Sequence, residues 1–181
     1  MKHANLILAN LKVAPVLHEL RQHPDLWDRE RVRTTWKEGP FLGTSDIWVR
    51  WADPERPEPP SGPHVPAFYP AWHALPPLHG LVFDVMRAFK ATMLGGILIT
   101  KVPAGGQVKP HTDKGFWHPE FYRDKAYVIF QSNERCVNRF EDEDMIMRAG
   151  ECWAFDNLVT HSVENYGECD RIAAVICMRT T

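Results

Sequence analysis

Three histidines of the chain are each followed, two positions later, by an acidic residue. A histidine and a carboxylate at this spacing point to the same side of an extended chain, where they are able to share a metal ion. In two of the pairs a proline stands between the two residues, which is typical of a loop rather than a strand. The pairs are His23 with Asp25, His111 with Asp113, and His118 with Glu120, and only the second lacks the proline.

His111 and Asp113 are the pair best placed to bind a metal, because they follow an apolar run and a Gly-Gly turn in "ILITKVPAGGQVKPHTD". A third ligand must come from a distant part of the chain. His161 is the candidate, since it opens a short β-type run late in the sequence. Two histidines and one carboxylate on one face of an iron(II) ion leave positions open for a co-substrate and dioxygen. The alternative is that His111 lies in a surface loop and His161 fills a pair of strands.

Arg171 precedes the apolar run from Ile172 to Ile176 and is expected to open a strand. A cation in such a strand is unfavourable unless it is paired with an anion. A dicarboxylate that bound the metal through one end would place its other carboxylate where a guanidinium can bind both oxygens. The alternative is an internal ion pair with Asp156 or Asp170.

Length and charge limit the classes of protein to which the chain belongs. Its 181 residues, 44% of them hydrophobic, suffice for one buried core, so we expect a single domain over residues 1–181. A net charge of -2 argues against duplex nucleic acid as the main partner. The apolar runs are too short to span a membrane, and the N-terminus does not resemble a secretory signal. The 4 cysteines lack a C-x-x-C spacing, which favours reduced thiols in the cytoplasm. The sequence leaves the oligomeric state open.

The N-terminal part, residues 1–96, is expected to be helical and rich in proline. A helix is predicted to begin at Pro15, and "SDIWVRW" alternates as in a strand. Residues 54–77 hold most of the 15 prolines and predict an extended irregular arm. Apolar residues at helical spacing predict one long helix over residues 79–93, ended by Gly95 and Gly96.

Residues 97–181 change to short β-type runs separated by turn residues. This pattern predicts a mainly β (α+β) protein with a jelly-roll core and the N-terminal helices packed outside it. The runs are "ILITKV", "KAYVIFQ", "CVNRF", "DMIMRA", "CWAFD", "HSVEN" and "RIAAVICM".

From about Asp46 onward the chain resembles the aspartyl/asparaginyl β-hydroxylase family of 2-oxoglutarate-dependent oxygenases. The segments that carry the resemblance are "HTD" at 111–113, "GECWAFDNLVTHSVEN", and "DRIAAVICMR". The resemblance implies a double-stranded β-helix (jelly-roll) core in which His111 and His161 bind Fe(II) and Arg171 binds the far carboxylate of 2-oxoglutarate. Some members of the family have glycine in place of the acid, so Asp113 follows the general oxygenase pattern.

The chain departs from the family in one strand. The family type Arg-x-His-Ile-Pro-Leu-x-Thr-Asn corresponds here to "KAYVIFQSN", with Lys125 and Tyr127 in place of the arginine and histidine. Both side chains are hydrogen-bond donors, and we expect them to form a wall of the co-substrate site.

The resemblance implies that Fe(II), 2-oxoglutarate and dioxygen serve to hydroxylate a C–H bond of an amino-acid or peptide side chain, or of a related small molecule. Trp153 and Phe155 are candidates to shield the site, as is Trp117. Two alternatives are a nucleobase demethylase, for which a basic groove is expected, and a cupin-like module that binds a metal or ligand without oxidation. The candidate substrate contacts are Arg50, Trp51, Tyr69, Trp72 and Trp117.

Overall fold

The computed structural model describes residues 2–53, 66–113 and 121–180. The helices and strands follow one another along the chain in an order that keeps most helices in the N-terminal part. They are β1 (Ala4–Leu8), α1 (Ala14–Gln22), a short 3-10 helix (Pro24–Leu26), α2 (Val32–Thr35), β2 (Ser45–Ala52), β3 (Pro66–Phe68), α3 (Pro70–Ala74), α4 (Pro76–Phe89), β4 (Ala91–Val102), β5 (Gln107–His111), β6 (Asp124–Gln131), β7 (Cys136–Phe140), β8 (Glu143–Ile146), β9 (Cys152–Phe155), β10 (His161–Asn165) and β11 (Arg171–Thr180).

Two antiparallel sheets form the core, as the mainly β prediction requires. The larger sheet has seven strands in the order β1-β9-β6-β11-β4-β2-β3, and the smaller has four in the order β5-β10-β7-β8. From β4 to β11 the strands alternate between the two sheets except for the neighbouring pair β7 and β8, which both lie in the smaller sheet, and this order is that of a jelly roll, which confirms the predicted fold class. The predicted runs "CVNRF" and "HSVEN" coincide with β7 and β10.

The helices pack on one face of the larger sheet. Val16 and Leu20 of α1, and Leu78, Val82 and Val85 of α4, are buried in the same apolar cluster as the sheet. The strand residues in this cluster alternate with residues that point away from the helices, as expected for a pleated sheet. They include Ile47, Val49, Ile97, Ile99, Ala126, Val128, Ala174 and Ile176.

The N-terminal part contributes strands that the sequence did not predict. Strand β1 pairs with β9, so that Ala4 lies opposite Phe155. The run "NLILANL" is too short for a period to stand out, and Leu6 and Ile7 are exposed. The predicted irregular arm is also partly wrong: residues 66–77 form β3, α3 and the start of α4, while residues 54–65 lie outside the described part.

The predicted end of the long helix is wrong. Helix α4 begins at Pro76 and ends at Phe89. It ends there because Lys90 takes a left-handed conformation with φ 55° and its N–H donates to the carbonyl of Arg87. Strand β4 begins at Ala91, before the expected boundary between residues 96 and 97. The expectation of one domain over residues 1–181 stays a prediction.

Gly95 and Gly96 lie inside β4 rather than at a helix end. A Cβ on Gly96 would lie 2.6 Å from ring carbons of Trp51, and one on Gly95 would lie 2.7 Å from the Tyr122 ring. Both glycines therefore allow aromatic rings to approach the backbone of the strand.

Each of the 4 cysteines is a free thiol, and three of them are buried. Burial raises the pKa of Cys152 to about 12.

Helix α4, with 14 residues, is the longest helix in the described part of the chain, and no described helix has the length and apolar character needed to cross a bilayer. The cytoplasmic location stays a prediction.

We expect Gly96→Ala to lower the free energy of unfolding by about 1–3 kcal/mol, because the new methyl group must displace the Trp51 ring. Gly80→Ala is the matched control. Apart from its chain neighbours and its own helix backbone, no described atom would lie within 4 Å of its Cβ, and alanine in a helix should raise stability by about 0.5–1 kcal/mol. Urea denaturation measures both, and equal effects of the two substitutions would contradict the packing described for Gly96.

Candidate active site

His111 and His161 lie side by side on neighbouring strands of the smaller sheet. His111 ends β5, His161 begins β10, and the two are direct partners in the antiparallel pairing of these strands. Their ring centroids are 4.4 Å apart. The side chain of His161 is only 3% exposed and that of His111 is 14% exposed. Both imidazoles therefore lie next to each other in the space between the two sheets.

Hydrogen bonds to the backbone determine which ring nitrogen of each histidine is free. The Nδ1 of His111 is 2.8 Å from the carbonyl oxygen of Lys109, and the Nδ1 of His161 is 3.0 Å from that of Val159. A carbonyl only accepts, so each Nδ1 carries the proton and donates it. Each Nε2 then keeps a lone pair, which is the arrangement that orients histidine ligands in metal sites.

Asp113 completes a group of three possible ligands. Its N–H donates to the carbonyl of Asn157 over 3.0 Å, which holds the residue beside β10. One carboxylate oxygen is 3.7 Å from the Nε2 of His111, and the other is 3.8 Å from the Nε2 of His161. The three ligand atoms lie within 4.8 Å of one another. Two imidazoles and a carboxylate are a donor set that suits iron(II).

The protonation states of the three side chains suit a metal. Burial, followed by the neighbouring His161, lowers the pKa of His111 to about 4. Burial also lowers the pKa of His161. Burial alone would raise the pKa of Asp113, but the Lys125 ammonium and the two histidines bring it below its usual value. Neutral imidazoles and an ionised carboxylate are the forms that bind metals.

Lys125 and Tyr127 lie on the same face of β6 and line the cavity beside these ligands. The Nζ of Lys125 donates to the Oδ2 of Asp113 over 2.7 Å, so its charge is paired with the carboxylate rather than open to a co-substrate as expected. The Tyr127 ring stacks on Phe155 with centroids 4.1 Å apart. Burial raises the pKa of Tyr127, which keeps its hydroxyl protonated.

Arg171, the first residue of β11, is 2% exposed and lines the same cavity. Its Nη2 donates to the Oδ1 of Asn138 over 3.3 Å, and its guanidinium lies 5.1 Å from the centroid of the Tyr127 ring. Its Nε is buried and has no hydrogen-bond partner among the described residues. Within residues 2–53, 66–113 and 121–180, no acid lies at ion-pair distance.

The alternative internal ion pair of Arg171 with Asp156 or Asp170 is therefore not formed. Asp156 accepts from the N–H of Leu158, and Asp170 accepts from the N–H of Ala104. A buried guanidinium without an anion is unfavourable. It is suited to a carboxylate supplied by a ligand.

A cavity of about 800 Å³ opens beside these residues and is lined from both sheets. This volume is typical of small-molecule sites. Most of its wall is apolar, with a few polar or charged groups at the candidate ligands and Arg171. The remaining wall residues include Trp48, Trp51, Leu98, Thr100, Val108, Phe155, Ser162, Val163, Val175 and Cys177.

Trp51 is one predicted substrate contact that does line the cavity. The side chain of Arg50 instead donates to the carbonyls of Leu94 and Gly95 and so supports the start of β4. Trp117, together with His118 and Glu120, lies outside the described residues.

Tyr69 and Trp72 were also predicted to contact substrate, and the structure places both away from the cavity. The Tyr69 hydroxyl donates to the carbonyl of Ala52. Trp72 stacks on His79 with centroids 3.8 Å apart. Trp153, which was expected to shield the site, is likewise not among the described residues that line the cavity. Its indole N–H donates to Glu151 instead. Phe155 does line the cavity.

One part of the cavity wall was not predicted from the sequence. Residues from α2 and the loop after it line the cavity, namely Val32, Arg33, Trp36, Pro40 and Phe41. No period or motif in "VRTTWKEGPF" marks them. Trp48, which also lines the cavity, was recognised as a strand residue.

Comparisons with known proteins agree with this geometry. A family model described as Aspartyl/Asparaginyl beta-hydroxylase matches residues 70–180. A search of the curated proteins found no match. Among solved structures, the chain is similar to the non-heme α-ketoglutarate dependent epimerase SnoN from nogalamycin biosynthesis. The TM-score is 0.62 at 15% identity, covering 98% of this chain and 78% of that one.

Two further structures share the fold. The viral collagen prolyl hydroxylase of Paramecium Bursaria Chlorella virus-1 gives a TM-score of 0.58 at 9% identity, covering 99% of this chain and 97% of that one. An oxidoreductase of the 2OG-Fe(II) oxygenase family from Burkholderia pseudomallei gives 0.54 at 11% identity and covers 75% of this chain. The present chain spans 65% of the length of that protein.

At these identities the solved structures establish the fold alone. The family model goes further, because it matches more than half of the chain and includes the three candidate ligands and Arg171. The protein therefore belongs to the aspartyl/asparaginyl β-hydroxylase family, whose members are Fe(II)- and 2-oxoglutarate-dependent oxygenases.

Proposed function

We propose that this oxygenase hydroxylates a C–H bond of an amino-acid or peptide side chain, or of a related small molecule. Its cofactor is Fe(II), its co-substrates are 2-oxoglutarate and dioxygen, and it releases succinate and CO2. One observation carries the proposal: two histidine Nε2 atoms and a carboxylate converge on the wall of the cavity that also contains the buried guanidinium of Arg171, which has no acid beside it among the described residues.

His111, Asp113 and His161 hold the iron in this proposal. The iron supplies dioxygen activation, which couples oxidative decarboxylation of 2-oxoglutarate to hydroxylation of the substrate. The backbone carbonyls that bind both Nδ1 atoms keep the imidazoles oriented. Lys125 holds one oxygen of Asp113 and so positions a ligand rather than binding the co-substrate.

Arg171 binds the far carboxylate of 2-oxoglutarate. The buried Nε without a partner and the absence of an acid beside it among the described residues both favour an incoming anion. Tyr127 supports the guanidinium through its ring face. The apolar wall from Trp51, Leu98 and Phe155 keeps water away from the reacting groups.

We expect His161→Ala to lower the affinity for Mn(II), a redox-inert substitute for Fe(II), by at least about tenfold to a hundredfold. A loss of this size already follows when only a hydrogen-bond partner of a metal ligand is removed, and His161 is itself a proposed ligand. Isothermal titration under anaerobic conditions measures it. His23→Ala is the matched control, because His23 also precedes an acid by two residues but lies beside Glu19 in a surface helix end. Similar Mn(II) affinities of the two variants would contradict the site.

We expect Arg171→Ala to weaken 2-oxoglutarate binding to the Mn(II) protein by about tenfold to more than a hundredfold, because a charge-assisted hydrogen bond contributes roughly 1.5–3 kcal/mol. Mn(II) affinity should change much less, since no metal ligand is removed. Arg179→Ala controls for the loss of an arginine from the same strand, where Arg179 is exposed and lies over Phe121. An unchanged 2-oxoglutarate affinity in folded Arg171→Ala would make Arg171 a structural residue.

We expect the Fe(II) protein to form succinate from 2-oxoglutarate once air is admitted, and His111→Ala to form none above the rate of free iron. A module that only binds a metal or ligand would form no succinate in either case. Mass spectrometry of a substrate screen should then find a product heavier by one oxygen atom.

A further inference from the structure

Residues 32–41, which comprise α2 and the loop after it, line one part of the cavity and include a cation, Arg33, that the proposed iron and co-substrate sites do not use. Arg33 lies in α2 and lines the cavity together with Trp36 and Phe41. These residues precede the segment matched by the family model, which begins at residue 70. The wall that they form is therefore a feature of this chain beyond the part that establishes its family.

Aromatic contacts place the guanidinium of Arg33 close to the candidate iron ligands. Its central carbon lies 3.7 Å from the centroid of the Phe41 ring. The Phe41 ring in turn meets the His111 ring edge-on, with centroids 5.0 Å apart. A single ring thus separates the guanidinium from a candidate ligand, and the cation–π contact holds it there.

The part of the chain that the structure describes uses little of the hydrogen-bonding capacity of Arg33. Its Nη1 is 3.4 Å from the Oδ2 of Asp46. That oxygen is buried and accepts no hydrogen bond from a described residue, while the Oδ1 of Asp46 accepts from the Thr100 hydroxyl over 2.7 Å. A guanidinium has five N–H donors, and the Arg33 side chain is 20% exposed. Arg33 is therefore a loosely paired cation with donors available to a ligand.

The other cations of the cavity wall are assigned. Lys125 pairs with Asp113, and Arg171 is proposed to bind 2-oxoglutarate. Around Arg33 the wall is apolar and aromatic, with Trp36, Trp48 and Trp51 as its largest side chains. A ligand that matches both features has an apolar body and one anionic group.

We infer that the primary substrate is an amphipathic organic acid whose carboxylate pairs with Arg33 while its aromatic or branched apolar body packs against the tryptophans of the cavity. This inference rests on the proposed function and names the substrate class of the same site. Arg33 is then a specificity-determining residue, and the bond to be hydroxylated lies in the apolar body.

The test uses the protein loaded with Mn(II) and saturated with 2-oxoglutarate, so that Arg171 is occupied. Two probes of nearly equal shape are compared by quenching of tryptophan fluorescence: 4-phenylbutyrate and its neutral amide. The acid should bind about tenfold to a hundredfold more tightly than the amide, as expected for a charge-assisted pair. Arg33→Gln should remove this preference, and Arg33→Lys should retain part of it.

Two variants control for structural effects. Arg31→Gln removes a neighbouring exposed arginine whose side chain donates to the carbonyl of Asp28 and should leave the preference intact. Arg33→Gln with Asp46→Asn avoids leaving a buried carboxylate without its cation. This double variant should fold, bind 2-oxoglutarate normally, and bind the acid no better than the amide.

The outcomes separate the two proposals. If the wild-type protein binds 2-oxoglutarate but shows no preference for the acid, or does not bind it, the substrate class is wrong and the oxygenase proposal stands. A preference that persists in both Arg33 variants lacking the charge would also overturn it. Failure of the wild-type protein to bind 2-oxoglutarate overturns the proposed function itself.

Discussion

The antiparallel pairing of β5 with β10 is the constraint on which the site depends. It sets His111 directly opposite His161, although the two are distant in the chain. Side chains alternate between the faces of a strand, so a slip of one residue would turn one imidazole away from the cavity. Strand β7 pairs with β10 on its other side, with His161 opposite Phe140, and this limits such a slip. Asp113 then needs only to follow β5 to complete the group.

The two faces of the larger sheet have different roles: one packs against the helices and stabilises the fold, and the other lines the cavity. Ile97, Ile99 and Ala174 belong to the apolar cluster shared with the helices. Leu98 and Thr100, which alternate with the first two, line the cavity instead. The few polar and charged groups of the cavity wall are tolerated because the opposite face supplies most of the apolar burial that stabilises the fold.

An irregularity in β2 explains why one aromatic wall departs from simple alternation. The register of β2 against β4 shifts between Trp48 and Arg50. Trp48 and Trp51, three positions apart, consequently both line the cavity. Arg50 is directed to the backbone carbonyls at the start of β4. The same arrangement brings Trp51 over Gly96, where a larger residue has no room.

The mainly β jelly roll, the strands β7 and β10, and the candidate set of His111, Asp113, His161 and Arg171 can all be predicted from the amino-acid sequence. These features depend on short patterns, such as alternation, turn residues and a histidine two places before an acid, which act within a few neighbouring residues. Three features became visible only in the folded protein: Lys125 pairs with Asp113, aromatic rings pack against Gly95 and Gly96, and residues 32–41 line the cavity. Each of these is a contact between residues far apart in the chain, and no local pattern encodes which distant side chain will occupy the space beside them.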